Sequence, residues 1–220
     1  MGRPQKSEQG PIPTRERIFQ QALELFATQG YDAVSVRDIT RALNLNEATL
    51  YIHYKNKAAL LEEILERLQK TLIEPGFRVP PAETFSEHED FDLAEYLIEG
   101  AAQFFSRADR TTLLTWRMLM ISQYRFESAR TTLEEQLLGT PLHFFTALLE
   151  NMQSAGLLRR ELDCSSAGRI IAALFFDYSF RSNLKAAWNE RSDAEFSKLK
   201  ADLKTITAWI EGINVNFVDN

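Results

Sequence analysis

Between Arg37 and Lys57 the sequence gathers groups that recognise phosphates and base edges better than they break bonds. Arg37, Lys55 and Lys57 are cations suited to a nucleic-acid backbone, and Tyr51 and His53 can hydrogen-bond to phosphate. Ala48 is small enough for close approach to a base edge. Thr49 can donate to a base or a phosphate, and Ile52 can meet a thymine methyl. Signatures of catalysis are missing: the chain has no HExxH, no Gly-rich phosphate loop and no nucleophile elbow. Its single cysteine, Cys164, excludes an internal disulfide and a multi-cysteine zinc site. No His/Cys/carboxylate cluster has ligand spacing. His88, beside Glu87, Glu89 and Asp90, reads as a solvated loop residue, so neither a metal nor any other cofactor is expected.

Side chains spread over that distance must be positioned by short helices. Ser35 to Asp38 is a capping-box pattern opening a helix from about Val36 to Leu43. Asn44 suits a left-handed turn, and Asn46 caps a second helix near Glu47 to His53. On that second helix, Leu50 and Tyr54 fall on one face, leaving Ala48, Thr49 and Ile52 outward with Tyr51 and His53 flanking them. Ile39, Leu43, Leu45 and Leu50 would supply the apolar seam between the two. Upstream, Thr14 can cap a helix whose Ile18, Phe19, Ala22, Leu25 and Phe26 form a stripe ended by Gly30. Downstream, Asn56 can cap a long helix running as far as Pro75.

The remainder carries no sustained period-2 alternation and no internal repeat, so the fold class is all-α, with about nine helices. Residues 75–91 read as a loop. Further helices are expected near Asp92–Ser106, Arg110–Tyr124, Glu127–Gly156 (kinked at Pro141), Ser165–Asn189 and Asp193–Ile213. This gives a flexible tail at 1–10, a candidate helix-turn-helix DNA-binding unit at 11–58 and a helical body at 59–220. The net charge of −6 is unevenly spread. Residues 1–57 hold 8 basic and 6 acidic groups, whereas 58–220 hold 17 and 25. A mildly basic head on an acidic body fits contact with phosphates at one end. No signal-like or membrane-spanning apolar run occurs, so the expected location is the cytoplasm.

Periodicity alone is equally compatible with a helix-turn-helix and with a generic helical corner. The run from Ser35 to Leu61 resembles the N-terminal domain of the tetracycline-repressor (TetR) family, most specifically at Thr49-Leu50-Tyr51-x-His53-Tyr54-Lys55-Asn56-Lys57. The likeness covers about residues 13–61 and includes Ala22, Leu25, Phe26, Gly30 and Tyr31. It implies that Arg37, Ala48, Thr49, Tyr51, His53 and Lys57 lie at or near a double-stranded operator. Ala48 departs from the Gly or Pro that relatives often carry. Glu47 is an acid at the mouth of the recognition helix, where it favours the helix N-terminus or accepts from a cytosine amino group.

For the body, the resemblance implies a small hydrophobic or aromatic effector held between helices. Phe104, Trp116, Met120, Phe144 and Phe176 are the candidate lining, with Arg117 and His143 as the polar groups that would orient the ligand. It also implies a homodimer in which the last two helices pair with their symmetry mates. Two recognition helices about one turn of DNA apart need a two-fold dimer and a palindromic operator. Phe176, Phe180, Leu184, Trp188, Leu203, Ile206 and Ile210 are the candidate contacts, some of which must instead serve the chain's own core. The implied function is a ligand-responsive regulator, most simply a repressor. A helical carrier without DNA activity and an all-α enzyme are the alternatives.

Overall fold

The computed structural model describes residues 12–85, 91–187 and 193–212. The tail at 1–10, His88 with its acidic neighbours, and Trp188 lie outside these residues. Every regular element described is helical. The order is α1 (Thr14–Gln29), α2 (Val36–Ala42), α3 (Glu47–His53), α4 (Lys57–Leu68), α5 (Glu74–Gly76), α6 (Leu93–Ser106), α7 (Arg110–Ser122), α8 (Glu127–Thr131), α9 (Thr140–Ser154), α10 (Cys164–Ala187) and α11 (Asp193–Ile210). No helix among the described residues is long and apolar enough to cross a membrane.

Local chemistry explains most boundaries. Ser35 Oγ accepts from the Asp38 N–H at 3.1 Å while Asp38 Oδ2 accepts from the Ser35 N–H at 2.9 Å, completing the capping box. Asn44 adopts φ 55°, and the Leu45 and Asn44 N–H groups close back onto Thr40 and Arg41 carbonyls at 2.9 and 3.1 Å. This paired closure satisfies carbonyls that a helix end leaves free. Asn46 and Asn56 accept from the Thr49 and Ala59 N–H groups at 2.8 and 2.9 Å. Thr14 differs from expectation. It is the first helical residue and makes no cap, since the Pro13 carbonyl already accepts from the Arg17 N–H at 3.0 Å.

Two helices carry an extra residue per turn. After α4 the chain passes through a π-helical turn, Gln69–Ile73, into α5, so the expected long helix reaches Pro75 with a wider segment in its path. The expected kink at Pro141 appears as a π-helical stretch, Thr132–Gly139, between α8 and α9. Pro141 has no N–H to donate to the preceding turn, and Thr140 N–H reaches back five residues to Glu135 O.

Two apolar cores result. One joins α1–α4 to α7 and α8, through Phe19, Phe26, Leu50, Leu60, Met118 and Leu119. The other joins α6, α9, α10 and α11, through Leu97, Phe145, Leu148, Ile171, Leu203 and Ile210. Phe77 packs against both. The expected boundary at residue 58 falls inside α4.

α9 and α10 approach so closely at Gly168 that an added Cβ would stand 2.8 Å from the Thr146 backbone nitrogen. Backbone cannot yield as a side-chain tip can. Gly168→Ala is therefore expected to lower stability by about 1–3 kcal/mol, as overpacking does. Urea unfolding followed by far-UV circular dichroism measures it; an unchanged midpoint would show that the two helices separate freely.

Candidate nucleic-acid interface and body cavity

α2 and α3 form two short helices joined by the Asn44 turn, and α1 and α4 hold them from behind. Leu50 and Tyr54 are buried, which fixes the rotation of α3 about its own axis. Tyr51 and Ile52 therefore stand out, 51% and 78% exposed, with Ala48 exposed beside them. An isoleucine so open gains nothing from the chain's own core. Thr49 is half-buried, and its hydroxyl donates to the Asn46 cap oxygen at 2.8 Å, so it serves the turn as well as the surface. His53 is half-buried, while Arg37 and Lys55 are exposed.

Lys57 sits differently from its expected place at a phosphate. Its ammonium turns inward, donating to the Tyr31 and Val34 carbonyls at 2.9 Å each and lying 4.1 Å from the Tyr31 ring centroid. Burial pushes this ammonium below its ordinary pKa. Two of its three N–H donors thus tie the start of α4 to the α1–α2 turn.

Arg41, one helical turn from Arg37, shares a groove with it at the helix-turn-helix corner, alongside Asn44, Asn46 and Glu47. Sequence reasoning passed over Arg41, although its i, i+4 spacing from Arg37 places both on one face of α2. It is exposed and lies 3.6 Å from Asp38, a pairing too open to hold it.

Behind α3, helices α1 and α4 are locked by a charge network. Arg67 lies 3.7 Å from the Phe19 ring centroid and donates to Glu16 at 2.9 Å and to Glu63 at 2.6 Å. Glu63 also accepts from Arg15 at 2.8 Å. Arg67's hydrogen bonds hold the Glu16 carboxyl below its ordinary value. Burial pushes Glu63 upward, but the bonds from Arg15 and Arg67 outweigh it and leave that carboxyl lowered too. Tyr54 closes the network beside Arg15, its phenol pushed up to about 12 by burial and then by Glu63.

In the body, a cavity of about 220 Å3 opens between α5, α6, α9 and α10. Phe77, Phe104, Phe144, Phe145 and Phe175 form its apolar wall. A smaller void of about 30 Å3, lined by Trp116, Pro141 and Phe176, shares Phe77, Phe104 and Phe175 with it, so these three rings are the partition. Of the expected ligand residues, Phe104 and Phe144 line the large cavity, and Trp116 and Phe176 only the small one. Met120 packs against the head's core, His143 is exposed, and Arg117 lines neither space. These three do not face the cavity because their positions on α7 and α9 turn them elsewhere. Its polar groups are instead Arg78, Tyr96, Glu99, Gln103 and Arg107.

The expected dimer face also needs revision. Leu203 and Ile210 are fully buried in the second core, and Ile206 packs against it half-buried. α11 turns that edge toward α6 and α10. Phe180 and Leu184 remain open, 38% and 50% exposed, and Trp209 on α11 adds an apolar surface that was not anticipated. Among the described residues, no group of three His, Cys, Asp or Glu side chains could hold a metal ion.

The charge network sets an acid response. Lowered carboxyls stabilise the fold above the ordinary carboxylate range of about pH 4–4.5, and that contribution is lost as pH falls through their lowered values. Between pH 6 and pH 3.5 the Tm of Arg67→Met is expected to drop ~2–4 °C less than that of the parent. Parallel pH curves for the two proteins would remove Arg67 from this role.

The head is matched by the model for "Bacterial regulatory proteins, tetR family" over residues 18–64. A biofilm operon icaADBC HTH-type negative transcriptional regulator, IcaR of Staphylococcus epidermidis, is 30% identical over 90 residues, covering 41% of this chain and 42% of the relative. An uncharacterised HTH-type transcriptional regulator of Bacillus subtilis, YvkB, is 36% identical over 55 residues, covering 25% and 29%. The chain thus spans less than half the length of these curated relatives. Solved structures extend the likeness to the body. Salmonella enterica GusR superposes with a TM-score of 0.60 at 25% identity, covering 91% of this chain and 98% of that one. The MbdR regulator from Azoarcus sp. CIB gives 0.65 at 15% identity over 92% and 100%, a likeness of fold alone. Sequence in the head and fold through both halves point the same way: residues 18–64 match the TetR family of bacterial regulatory proteins, and the likeness of fold to solved structures extends through the body.

Proposed function

We propose that the protein is a homodimeric, ligand-responsive DNA-binding regulator of the cytoplasm, acting as a repressor that a small hydrophobic or aromatic effector releases from a palindromic operator. The observation carrying this reading is the outward face of α3. Tyr51 and Ile52 are held rigidly at the surface by the Asn46 cap and by the burial of Leu50 and Tyr54. In this role Tyr51, His53, Arg37 and Lys55 contact phosphates or outer bases, and Ala48, Thr49 and Ile52 meet base edges in the major groove. Arg41 joins Arg37 at the backbone, and Lys57 acts by holding α4 to the head.

Release follows from connectivity. α4 begins at the Lys57 anchor and continues through the π-helical turn to Pro75, Gly76 and Phe77, which line the cavity. Gly76 lets α5 lie directly on Phe104; a Cβ there would stand 2.4 Å from the ring. A ligand that displaces Phe77 or Phe104 therefore moves the end of the helix whose other end carries the recognition unit. An effector preferring the displaced form lowers operator affinity by linkage. Negative regulation is also the role named for the Staphylococcus epidermidis relative.

Two measurements test this reading. In a gel shift with DNA from upstream of the protein's own gene, Arg37→Ala/Tyr51→Ala should weaken binding by at least about tenfold, given ~1–3 kcal/mol per good contact. The parent's affinity should also fall steeply with salt. Undiminished binding by the double variant would refute the interface. Leu184→Glu should convert a dimer to a monomer in analytical ultracentrifugation, since it places a charge in the open apolar face of α10. A dimer that survives would move the interface elsewhere.

A further inference from the structure

The rim of the body cavity differs in character from its floor. Tyr96, Gly100 and Gln103 on α6, and Arg107 just past its end, recur at three- and four-residue intervals and line the cavity along one face, and Arg78 lines it from the irregular segment after α5. Both arginines are exposed, and among the described residues neither forms an ion pair with a carboxylate. The Arg107 side chain donates from Nη1 to Pro75 O at 3.3 Å, which orients its guanidinium, and among the described residues its other guanidinium donors have no hydrogen-bond partner. Among the described residues Glu99 is the one acidic side chain in the lining, so two guanidinium groups stand against a single carboxylate.

Below this rim the rings pack around Phe77, tilted against Phe104 with centroids 4.9 Å apart and edge to face with Phe144 at 5.5 Å. The cavity thus has an apolar floor and a rim with net positive charge. Its volume of about 220 Å3 lies below the roughly 300–1,000 Å3 of drug-sized sites, which restricts the occupant to a small molecule. A planar guanidinium pairs with a carboxylate through two parallel hydrogen bonds, an interaction open to an oxyanion and closed to a neutral or cationic head.

We propose that the cavity binds a small organic anion, its aryl or short apolar body among the Phe77, Phe104 and Phe145 rings and its oxyanion between Arg78 and Arg107. This inference rests on the regulatory reading above and adds the charge of the effector. Arg107 also connects the ligand to the rod. An anion that draws its guanidinium toward the rim competes with the Pro75 carbonyl for the same side chain, and Pro75 lies at the end of the segment that continues α4.

The test is isothermal calorimetry with three isosteres: 3-phenylpropanoate, 3-phenylpropanamide and 3-phenylpropylamine. The carboxylate should bind at least about tenfold more tightly than the amide, the advantage of a charge-assisted hydrogen-bonded pair. In Arg78→Gln/Arg107→Gln that preference should disappear while the amide binds as before. Both residues are exposed, and their replacement leaves the cores intact. Equal binding of carboxylate and amide, tighter binding of the amine at Glu99, a preference that persists in the double variant, or no heat from any isostere at millimolar concentration would each overturn the anion assignment. A gel shift on the same preparation separates the two levels. DNA binding retained without a preference for the carboxylate removes the anion alone, whereas loss of DNA binding in the parent removes the regulatory reading beneath it.

Discussion

One ammonium group holds the geometry of the head. Lys57 occupies the first position of α4, where a cation opposes the helix dipole. Its position makes sense because the side chain does not remain there: it reaches back to two carbonyls of the α1–α2 turn and lies over the Tyr31 ring. Tyr31 in turn meets Phe26 and Phe126 edge-on, with centroids 5.0 and 4.7 Å away. The start of α4, the turn before α2 and the α7–α8 junction are thereby fixed through one aromatic ring. Remove the cation and both carbonyls lose its charged donor, although Tyr31 O still accepts from the Val34 N–H at 3.4 Å, and the ring loses its cation. Surface pairs such as Arg110–Glu24 and Arg125–Asp32 span the same gap, but both are open to solvent and contribute little.

What the sequence made legible was local. Ser35, Asn44, Asn46 and Asn56 announce their roles because capping and left-handed turns depend on residues within four positions of each other. The buried face of α3 followed from spacing for the same reason. The inward turn of Lys57 did not, because its partners are 23 and 26 residues away, and a lysine beside a recognition helix is equally suited to a phosphate. The cavity's polar rim was illegible for a related reason. Arg78 comes from an irregular segment and Arg107 from a helix end, and no periodicity relates them. Leu203 and Ile210 illustrate a third limit: an apolar stripe on a terminal helix serves its own core or a partner, and only packing decides between them. Here packing assigned both to the core.

The body's partition is a matter of three rings. Phe77, Phe104 and Phe175 separate the large cavity from the small void near Trp116, and Phe104 rests against the bare backbone of Gly76. Aromatic pairs of this kind, such as the tilted Phe77–Phe104 contact, hold their place through modest forces of about 0.5–1.5 kcal/mol per pair. They are stiff enough to divide the body's interior and soft enough for a ligand of ordinary affinity to rearrange. α5 and the π-helical turn before it lie on this partition, so the helix that begins at Lys57 ends on its most yielding surface.

The core of the head is not closed by the head's own helices. Met118 and Leu119 on α7 are fully buried within it, and Trp116 nearly so, alongside Phe19, Phe26 and Leu50. The unit that reads as a separable module in sequence therefore shares its core with α7. An excised fragment ending near residue 58 would open the side of its core that α7 covers. A chimera that grafts this recognition unit onto another regulator's body would inherit that body's equivalent of α7, with whatever side chains it carries. Exchange of DNA specificity between such proteins is accordingly simpler at the surface of α3 than at the junction between the halves.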